Sequence, residues 1–201
     1  MKKIALTSLL TVFVVSAASA ATTNFIGGSA NVATDSDHAS VLSVAPEFGW
    51  KLNSKWDLGV AANFGYEHNY IPAVAPAYAG DAYSYGAGVF ARYKVAQFGD
   101  VKLLLKGSAY ADFLTVSPEN DALDAETVFG INAAVIPMIT YDLSESFTLY
   151  ANLNFLGVYA GYNFKNKDLG VMDNSWGFGA GVNSDNVANT GNFQIGFNYN
   201  F

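Results

Sequence analysis

The last nine residues of the sequence constrain the fold more than any other stretch. Residues 193–201 read Phe-Gln-Ile-Gly-Phe-Asn-Tyr-Asn-Phe, with an apolar side chain at every second position. Successive side chains of a β-strand point to opposite faces, so this segment predicts a strand with one apolar face and one small, polar face. We therefore expect the rest of the chain to contain more strands of this kind.

The first twenty residues have the organisation of a secretory signal peptide. Lys2 and Lys3 form a positive segment, residues 4–15 are largely apolar, and residues 18–20, Ala-Ser-Ala, supply an A-x-A cleavage site. The apolar run is shorter than the roughly 20 residues that a membrane-spanning helix needs. We expect cleavage after residue 20 and a mature domain over residues 21–201.

The composition is unusual for a soluble domain. Only 13% of the residues are charged, against about 25% in typical globular proteins, while 51% are hydrophobic and none is cysteine. The net charge of −7 becomes −9 without Lys2 and Lys3, which argues against nucleic acid as a partner. A transmembrane β-barrel accounts for this composition, because its apolar residues face lipid while its backbone groups bond between strands.

Seven further segments alternate as the last one does. We predict an all-β fold: an eight-stranded antiparallel up-and-down transmembrane β-barrel with meander topology. The predicted strands are residues 24–34, 41–52, 55–69, 83–95, 101–115, 127–143, 147–161 and 193–201. In the second of them Pro46 lacks an N–H, which predicts either a β-bulge or a break in the ladder at this position.

Short and long connections alternate along the chain. The short turns follow Leu52, Val95 and Leu143, and the long loops follow Asn69, Thr115 and Gly161. Outer-membrane barrels have short periplasmic turns and longer external loops. A soluble lipocalin-type barrel has no reason for this pattern and would need a charged exterior.

Aromatic residues are expected to form two interfacial belts on the outward face. One belt lies beside the short turns, and the other lies toward the long loops. The first contains Trp50, Trp56, Tyr93, Tyr141 and Phe147, and the second contains Tyr66, Tyr83, Phe113, Phe129 and Tyr159.

Residues 175–183 also alternate and would make a ninth strand. Nine spanning strands would place Phe201 on the external side, whereas both ends of a bacterial barrel lie in the periplasm. We therefore predict that residues 175–183 extend the last external loop without spanning the membrane. Residues 184–192 then return the chain to the barrel.

A set of charged residues is predicted to face the lumen as a charge network. They are Glu47, Lys51, Asp57, Glu67, Arg92, Lys94, Lys102, Lys106 and Asp142. Eight strands enclose a space that side chains can fill, and an unpaired buried charge is costly, so these charges predict a salt-bridged, occluded interior. Inward glycines such as Gly59 and Gly86 remove volume, and a narrow channel stays open as the alternative.

The sequence predicts no catalytic, cofactor-binding or metal-binding residue. His38 and His68 are its two histidines, both at predicted loop ends, and no G-x-S-x-G motif is present. Two separated histidines without cysteine do not make a transition-metal site. We expect no cofactor and no enzyme activity, and a lipid-modifying barrel enzyme is the least favoured function.

From residue 21 to residue 201 the chain resembles the small outer-membrane β-barrel superfamily of Gram-negative bacteria, which includes OmpX-like, OmpW-like and OmpA-barrel proteins. The resemblance is carried by the signal segment, the alternating strands and the aromatic-ended last strand. Residues 176–182 and 192–197 look most like barrels of the Bacteroides and Prevotella type. The resemblance implies an assembly signal at Phe193, Ile195, Phe197, Tyr199 and Phe201.

The same resemblance implies localisation in the outer membrane after export. Its implied partners are outer-membrane lipid, the barrel assembly machinery and periplasmic chaperones. We expect a monomer with a structural or surface-interaction role, whose external loops meet a ligand that the sequence does not identify. A narrow porin-like channel, or a conduit for small or hydrophobic solutes, is the alternative function.

Overall fold

The computed structural model describes residues 23–34, 40–71, 75–154, 156–166, 168, 174–182 and 193–201. The predicted signal peptide and His38 lie outside these residues. The strands are β1 (Thr23–Thr34), β2 (Ser40–Lys51), β3 (Trp56–Tyr70), β4 (Gly80–Phe98), β5 (Val101–Pro118), β6 (Glu126–Asp142), β7 (Phe147–Leu153), β8 (Leu156–Asn163), β9 (Ser175–Val182) and β10 (Phe193–Asn200). A short 3-10 helix, Pro76–Tyr78, lies between β3 and β4. Among the described residues no helix is long and apolar enough to cross a membrane.

The sheet closes on itself into a barrel. Strands β1 to β6 pair with their neighbours in chain order, β7 pairs with β6 and β10, and β10 pairs with β1. Every pairing is antiparallel. Closure satisfies the backbone hydrogen bonds of the first and last strands, which an open sheet would leave exposed to lipid. The predicted eight-stranded meander barrel is confirmed.

Three tight turns lie at one end of the barrel, where polar side chains cap the chain reversals. In the turn before β3, Asn53 Oδ1 accepts from the backbone N–H groups of Lys55 and Trp56, at 2.8 and 3.0 Å. Before β7, Ser144 Oγ accepts from the Phe147 N–H at 3.1 Å. These local bonds favour a tight reversal between antiparallel strands.

The ladder between β2 and β3 is interrupted where the sequence predicted it. Val44 pairs with Phe64 and Glu47 pairs with Ala61, but Ala45 and Pro46 have no partner on β3. On its other side Pro46 faces Gly28 of β1, whose φ is +155°. A Cβ at Gly28 would collide with the Ala45 carbonyl, so glycine permits the close approach of β1 and β2 here.

Strands β7 and β8 form one strand position of the barrel with a change of phase between them. The register with β6 pairs Ile139 with Ala151 but Val135 with Val158. Because paired residues share a face, the outward residues are odd-numbered in β7 and even-numbered in β8. The prediction that Tyr159 lies in the outer aromatic belt is therefore wrong. Tyr159 pairs with Ala134 on the lumen side, and its hydroxyl donates to the Asn154 carbonyl.

Strands β9 and β10 both lie beside the wall position that β7 and β8 form, on the side away from β6. It pairs with β8 along its whole length, from Asn163 with Ser175 to Leu156 with Val182, while β10 pairs with β7. Both β9 and β10 run antiparallel to β7 and β8, so β9 adds no further crossing. The prediction that this segment is part of a loop is wrong, because it is a strand bonded to β8. Residues 184–192 lie outside the described residues.

The outward face is apolar and carries aromatic contacts near both ends. Trp56 packs on Tyr93 beside the short turns, with ring centroids 4.9 Å apart. Toward the long loops Phe113 packs on Phe129, and Phe129 on Phe164, at 4.8 and 4.9 Å. Large exposed apolar side chains cover the band between them and include Leu42, Val44, Phe64, Leu105, Ile131, Val135, Ile139, Leu149, Ile195 and Phe197. Such a band suits the hydrocarbon core of a bilayer.

Candidate functional site

Charged side chains line up across the lower lumen, the half of the interior nearer the short turns. The ladders pair Lys51 with Asp57, Asp57 with Arg92, and Arg92 with Lys106. Paired positions share a face and lie about 5 Å apart. This row therefore places charges of both signs around the inner wall.

The centre of the lower lumen is an ion cluster of Glu47, Arg92 and Lys106. Arg92 donates to Glu47 Oε1, and Lys106 Nζ lies 3.4 Å from Glu47 Oε2. The side chains of Arg92 and Glu47 are each 2% exposed, and that of Lys106 is 8% exposed. Separating Glu47 from Arg92 and Lys106 would leave unpaired charges in the interior, which is costly. The cluster is therefore stable only while the three side chains are held together.

Aromatic rings surround the guanidinium group of Arg92. Its Cζ lies 4.6 Å from the Phe90 ring centroid, 5.0 Å from that of Phe25 and 5.4 Å from that of Tyr150. These distances are in the range of cation–π attraction. Phe25 and Phe90 lie directly over Gly49 and Gly59, where a Cβ would collide with the rings. The glycines thus make room for rings that fill the lumen.

The last strand contributes a polar residue to the ion cluster. With its amide oriented to satisfy both neighbours, Asn198 donates to Glu47 Oε1 at 2.8 Å and accepts from Arg92 Nη1 at 3.0 Å. Asn198 is 5% exposed. Strand β10 closes the barrel by pairing with β1. Asn198 therefore joins the closing strand to the buried charges by hydrogen bonds.

A second charged group lies nearer the short turns. Lys102 donates to Asp142 Oδ2, and Thr148 Oγ1 donates to Asp142 Oδ1 at 2.9 Å. The amide nitrogen of Asn200 lies 3.4 Å from Thr148 Oγ1. Lys94 donates to Gln97 at 2.8 Å and lines a cavity at this end together with Lys51, Asp57 and Lys102. Glu67 lies toward the opposite end of β3, where its ladder partners are Val41 and Ala82.

The upper half of the lumen is roomier because its wall is built largely from small residues. After the change of phase, the inward positions of β8 include Gly157 and Gly161, and those of β9 include Gly177 and Gly179. Two cavities of about 490 and 240 Å³ occupy this region and share Ser108, Tyr110, Ala134 and Tyr159 in their lining. The smaller cavity reaches down to Glu47 and Lys106. We call the two together the upper chamber.

Three buried side-chain oxygens in the upper chamber have no hydrogen-bond partner in the part of the chain that the structure describes. They are Asn63 Oδ1, Asp112 Oδ1 and Asn152 Oδ1. Asp112 is held through its other oxygen, which accepts from Asn132 Nδ2 at 3.0 Å. The sequence analysis did not single out Asn63, Asp112, Asn152 or Asn198. Their inward phase is the signal that could have drawn attention to them.

His68 lies outside the lumen. It is exposed at the long-loop end, where its Nδ1 is 2.7 Å from Asp81 Oδ1. In the ladder it pairs with Ser40. Within the described ranges no group of three or more histidine, cysteine, aspartate or glutamate residues is placed to hold a metal ion.

Comparisons with known proteins returned solved structures only. No family model matches the sequence, and no curated protein matches it. Neisserial surface protein A is similar at 18% identity, over 89% of this chain and 96% of that chain, with a TM-score of 0.49. The N-terminal β-barrel domain of Pseudomonas aeruginosa OprF is similar at 12% identity, over 90% and 98%, with a TM-score of 0.44. A major outer membrane protein from Thermus thermophilus is similar at 14% identity, over 89% and 99%, with a TM-score of 0.43.

The chain is a small eight-stranded β-barrel of the outer-membrane type, as its own geometry shows. It is closed by pairing of the first and last strands, apolar and aromatic outside, and polar and charged inside. The likeness to barrels of the Bacteroides and Prevotella type stays a prediction.

Proposed function

We propose that this protein is a non-enzymatic β-barrel of the outer membrane that has a structural or surface-interaction role and a lumen closed in its lower half. The observation that carries the proposal is the buried cluster of Glu47, Arg92, Lys106 and Asn198, packed between the rings of Phe25, Phe90 and Tyr150. Ions crossing such a barrier would have to separate paired, desolvated charges.

The outward face supports a position in the outer membrane. Its exposed apolar side chains would be unfavourable in water and are stable against lipid tails. Export by the predicted signal peptide at residues 1–20 is part of the proposal. So is assembly by the barrel assembly machinery and periplasmic chaperones acting on the last strand, whose residues Ile195, Phe197, Tyr199 and Phe201 are exposed.

The charge of the long-loop end supports a surface role. The carboxylates described there are Glu67, Asp81, Glu119, Asp121, Asp124, Glu126 and Asp168. Lys165 is the lysine or arginine described beside them. A surface of one sign favours partners of the opposite sign, so the external face would attract cationic ligands and repel anionic ones.

The alternative of a narrow conduit rests on the upper chamber, the pair of cavities in the upper half of the lumen. Planar-bilayer recording of the purified barrel tests the proposal against this alternative. Absence of stepwise conductance supports a closed lower lumen, and stable conductance steps would favour the conduit.

The alternative of a lipid-modifying enzyme rests on one further observation. His68 bonds Asp81 on the exterior, and a histidine paired with a carboxylate is one part of a nucleophilic triad. Membrane lipids from cells expressing the protein, compared by mass spectrometry with those from cells expressing His68→Ala, test this alternative. Identical lipids support the non-enzymatic proposal, and a modification lost with His68→Ala would overturn it.

A further inference from the structure

The upper chamber has the features of a binding site rather than of residual space. Its smaller cavity holds the unpartnered oxygens of Asn63, Asp112 and Asn152, and it rests on the Glu47–Lys106 pair. Asn152 is 1% exposed, so its free oxygen is deeply buried. Buried acceptors without a donor are costly, and a ligand that donates hydrogen bonds would relieve that cost.

Two of the acceptors meet over a glycine of β4. A Cβ at Gly86 would collide with both Asp112 Oδ1 and Asn63 Oδ1, so the two oxygens share the small space above this residue. Neither oxygen has a donor among the described residues, and Asp112 carries a negative charge. One carboxylate oxygen beside one amide oxygen is an acceptor pair for a positively charged donor.

The immediate surroundings of Asp112 also favour a cation at this point. Glu47, Arg92 and Lys106 leave one net positive charge lower in the lumen, whereas the described hydrogen-bond partner of Asp112 is the neutral amide of Asn132, so its carboxylate has no paired cation among the described residues. The carboxylates at the long-loop end would concentrate cations near that end of the barrel.

The residues that line the upper chamber favour an organic cation over a metal ion. Tyr110 and Tyr159 line both cavities and present aromatic surface, which attracts organic ammonium groups. A divalent metal ion would need more oxygen ligands than one carboxylate and one amide supply. The combined volume of the chamber also exceeds what a bare ion requires.

From these observations we infer that the upper chamber binds a small organic cation, whose ammonium or guanidinium group is received by Asp112 and Asn63 and whose carbon chain lies between Tyr110 and Tyr159. This site goes beyond the surface role proposed above, and neither depends on the other. A barrel that conducts no ions can still bind a ligand from the external side.

Titration of n-butylammonium into the full chain, folded in detergent micelles at constant ionic strength, tests the inference by NMR. We expect saturable shifts of amide signals near Asp112. n-Butanol, which has the same carbon chain without the charge, should give no saturable shift. Asp112→Asn should weaken butylammonium binding by about tenfold or more, because the charge-assisted bond is lost. Glu145→Gln removes one exposed carboxylate from a short turn at the opposite end of the barrel and should leave binding unchanged.

A second variant tests the position of the site without changing its charge. Gly86→Ala places a methyl group where the two oxygens meet, and it should abolish binding while circular dichroism shows a folded barrel. If Gly86→Ala does not fold, the comparison of butylammonium binding by Asp112→Asn and by Glu145→Gln tests the inference alone. The inference is overturned if the unaltered chain shows no saturable binding, if Asp112→Asn binds equally well, or if Ca²⁺ displaces butylammonium by occupying the same site more tightly.

Discussion

Arg92 of β4 donates a hydrogen bond to Glu47 of β2 across the lower lumen, and each side chain is only 2% exposed. The two residues are 45 positions apart in the sequence, and their contact exists because β2, β3 and β4 lie side by side in the barrel wall. Lys106 and Asn198 complete the cluster from β5 and β10. Strands from both ends of the chain therefore meet at one buried carboxylate.

Replacing that carboxylate should strongly destabilise the barrel. Glu47→Gln leaves Arg92 and Lys106 buried without a counter-charge, and breaking a buried ion pair in this way costs about 3–5 kcal/mol. Urea unfolding in micelles, followed by tryptophan fluorescence, measures the difference. Glu145→Gln removes an exposed carboxylate from a turn at the same end and should change the free energy of unfolding little. Equal stability of Glu47→Gln and the unaltered chain would contradict the cluster.

The amide of Asn198 should contribute less than the charge of Glu47. Asn198→Ala removes one donor to Glu47 and one acceptor for Arg92, and a buried group left unsatisfied costs about 1–3 kcal/mol. The same unfolding assay measures this loss, with Asn120→Ala in an exposed loop as the matched variant. If both alanine variants lose the same small amount, Asn198 plays no special part in barrel closure.

Glycines inside the barrel should differ in their tolerance of a methyl group. A Cβ at Gly59 would collide with Phe90 Cζ and the Phe48 carbonyl, whereas a Cβ at Gly177 meets no atom within 4 Å. Overpacking of this kind costs about 1–3 kcal/mol, so Gly59→Ala should unfold at lower urea concentration than Gly177→Ala. The reverse order would show that the rings over Gly59 are not packed as described.

The change of phase between β7 and β8 predicts which side chains meet lipid. The absence of cysteine allows single cysteines to carry nitroxide labels at Ala151, Ala160 and Gly161. Electron paramagnetic resonance measures how often each label collides with a paramagnetic reagent. Labels at Ala151 and Ala160 should collide with oxygen dissolved in the bilayer, and a label at Gly161 should collide with a water-soluble nickel complex. Lipid exposure at Gly161 rather than at Ala160 would mean that the odd-numbered phase of β7 continues unbroken.

Alternation in the sequence was sufficient to predict the barrel, its eight strands and the ladder break at Pro46, because these depend on local periodicity and turn chemistry. It could not predict the change of phase after β7. Leu153 and Tyr159 are both apolar and odd-numbered, so the apolar pattern passes through the irregularity, and only the pairing with β6 reveals it. The inward placement of Tyr159 follows from that pairing.

In the candidate sites, too, alternation predicts which residues face the lumen, but not which of them meet. The inward phase identified Glu47, Arg92 and Lys106 as lumen residues, but which charges meet depends on cross-strand register, which alternation does not fix. The role of Asn198 was missed because asparagine in β10 looked like ordinary polar spacing. The larger cavity of the upper chamber was missed because it is lined by Gly161, Gly177 and Gly179, which share a face only after the change of phase.

Conductance of the purified full chain in a planar lipid bilayer tests the central claim most directly. If the ion cluster and the rings around it close the lower lumen, the inserted barrel should give no stable conductance steps, and insertion can be verified independently by protection of the barrel from protease. A protease-protected barrel that passes ions in stable, repeatable steps would contradict the account.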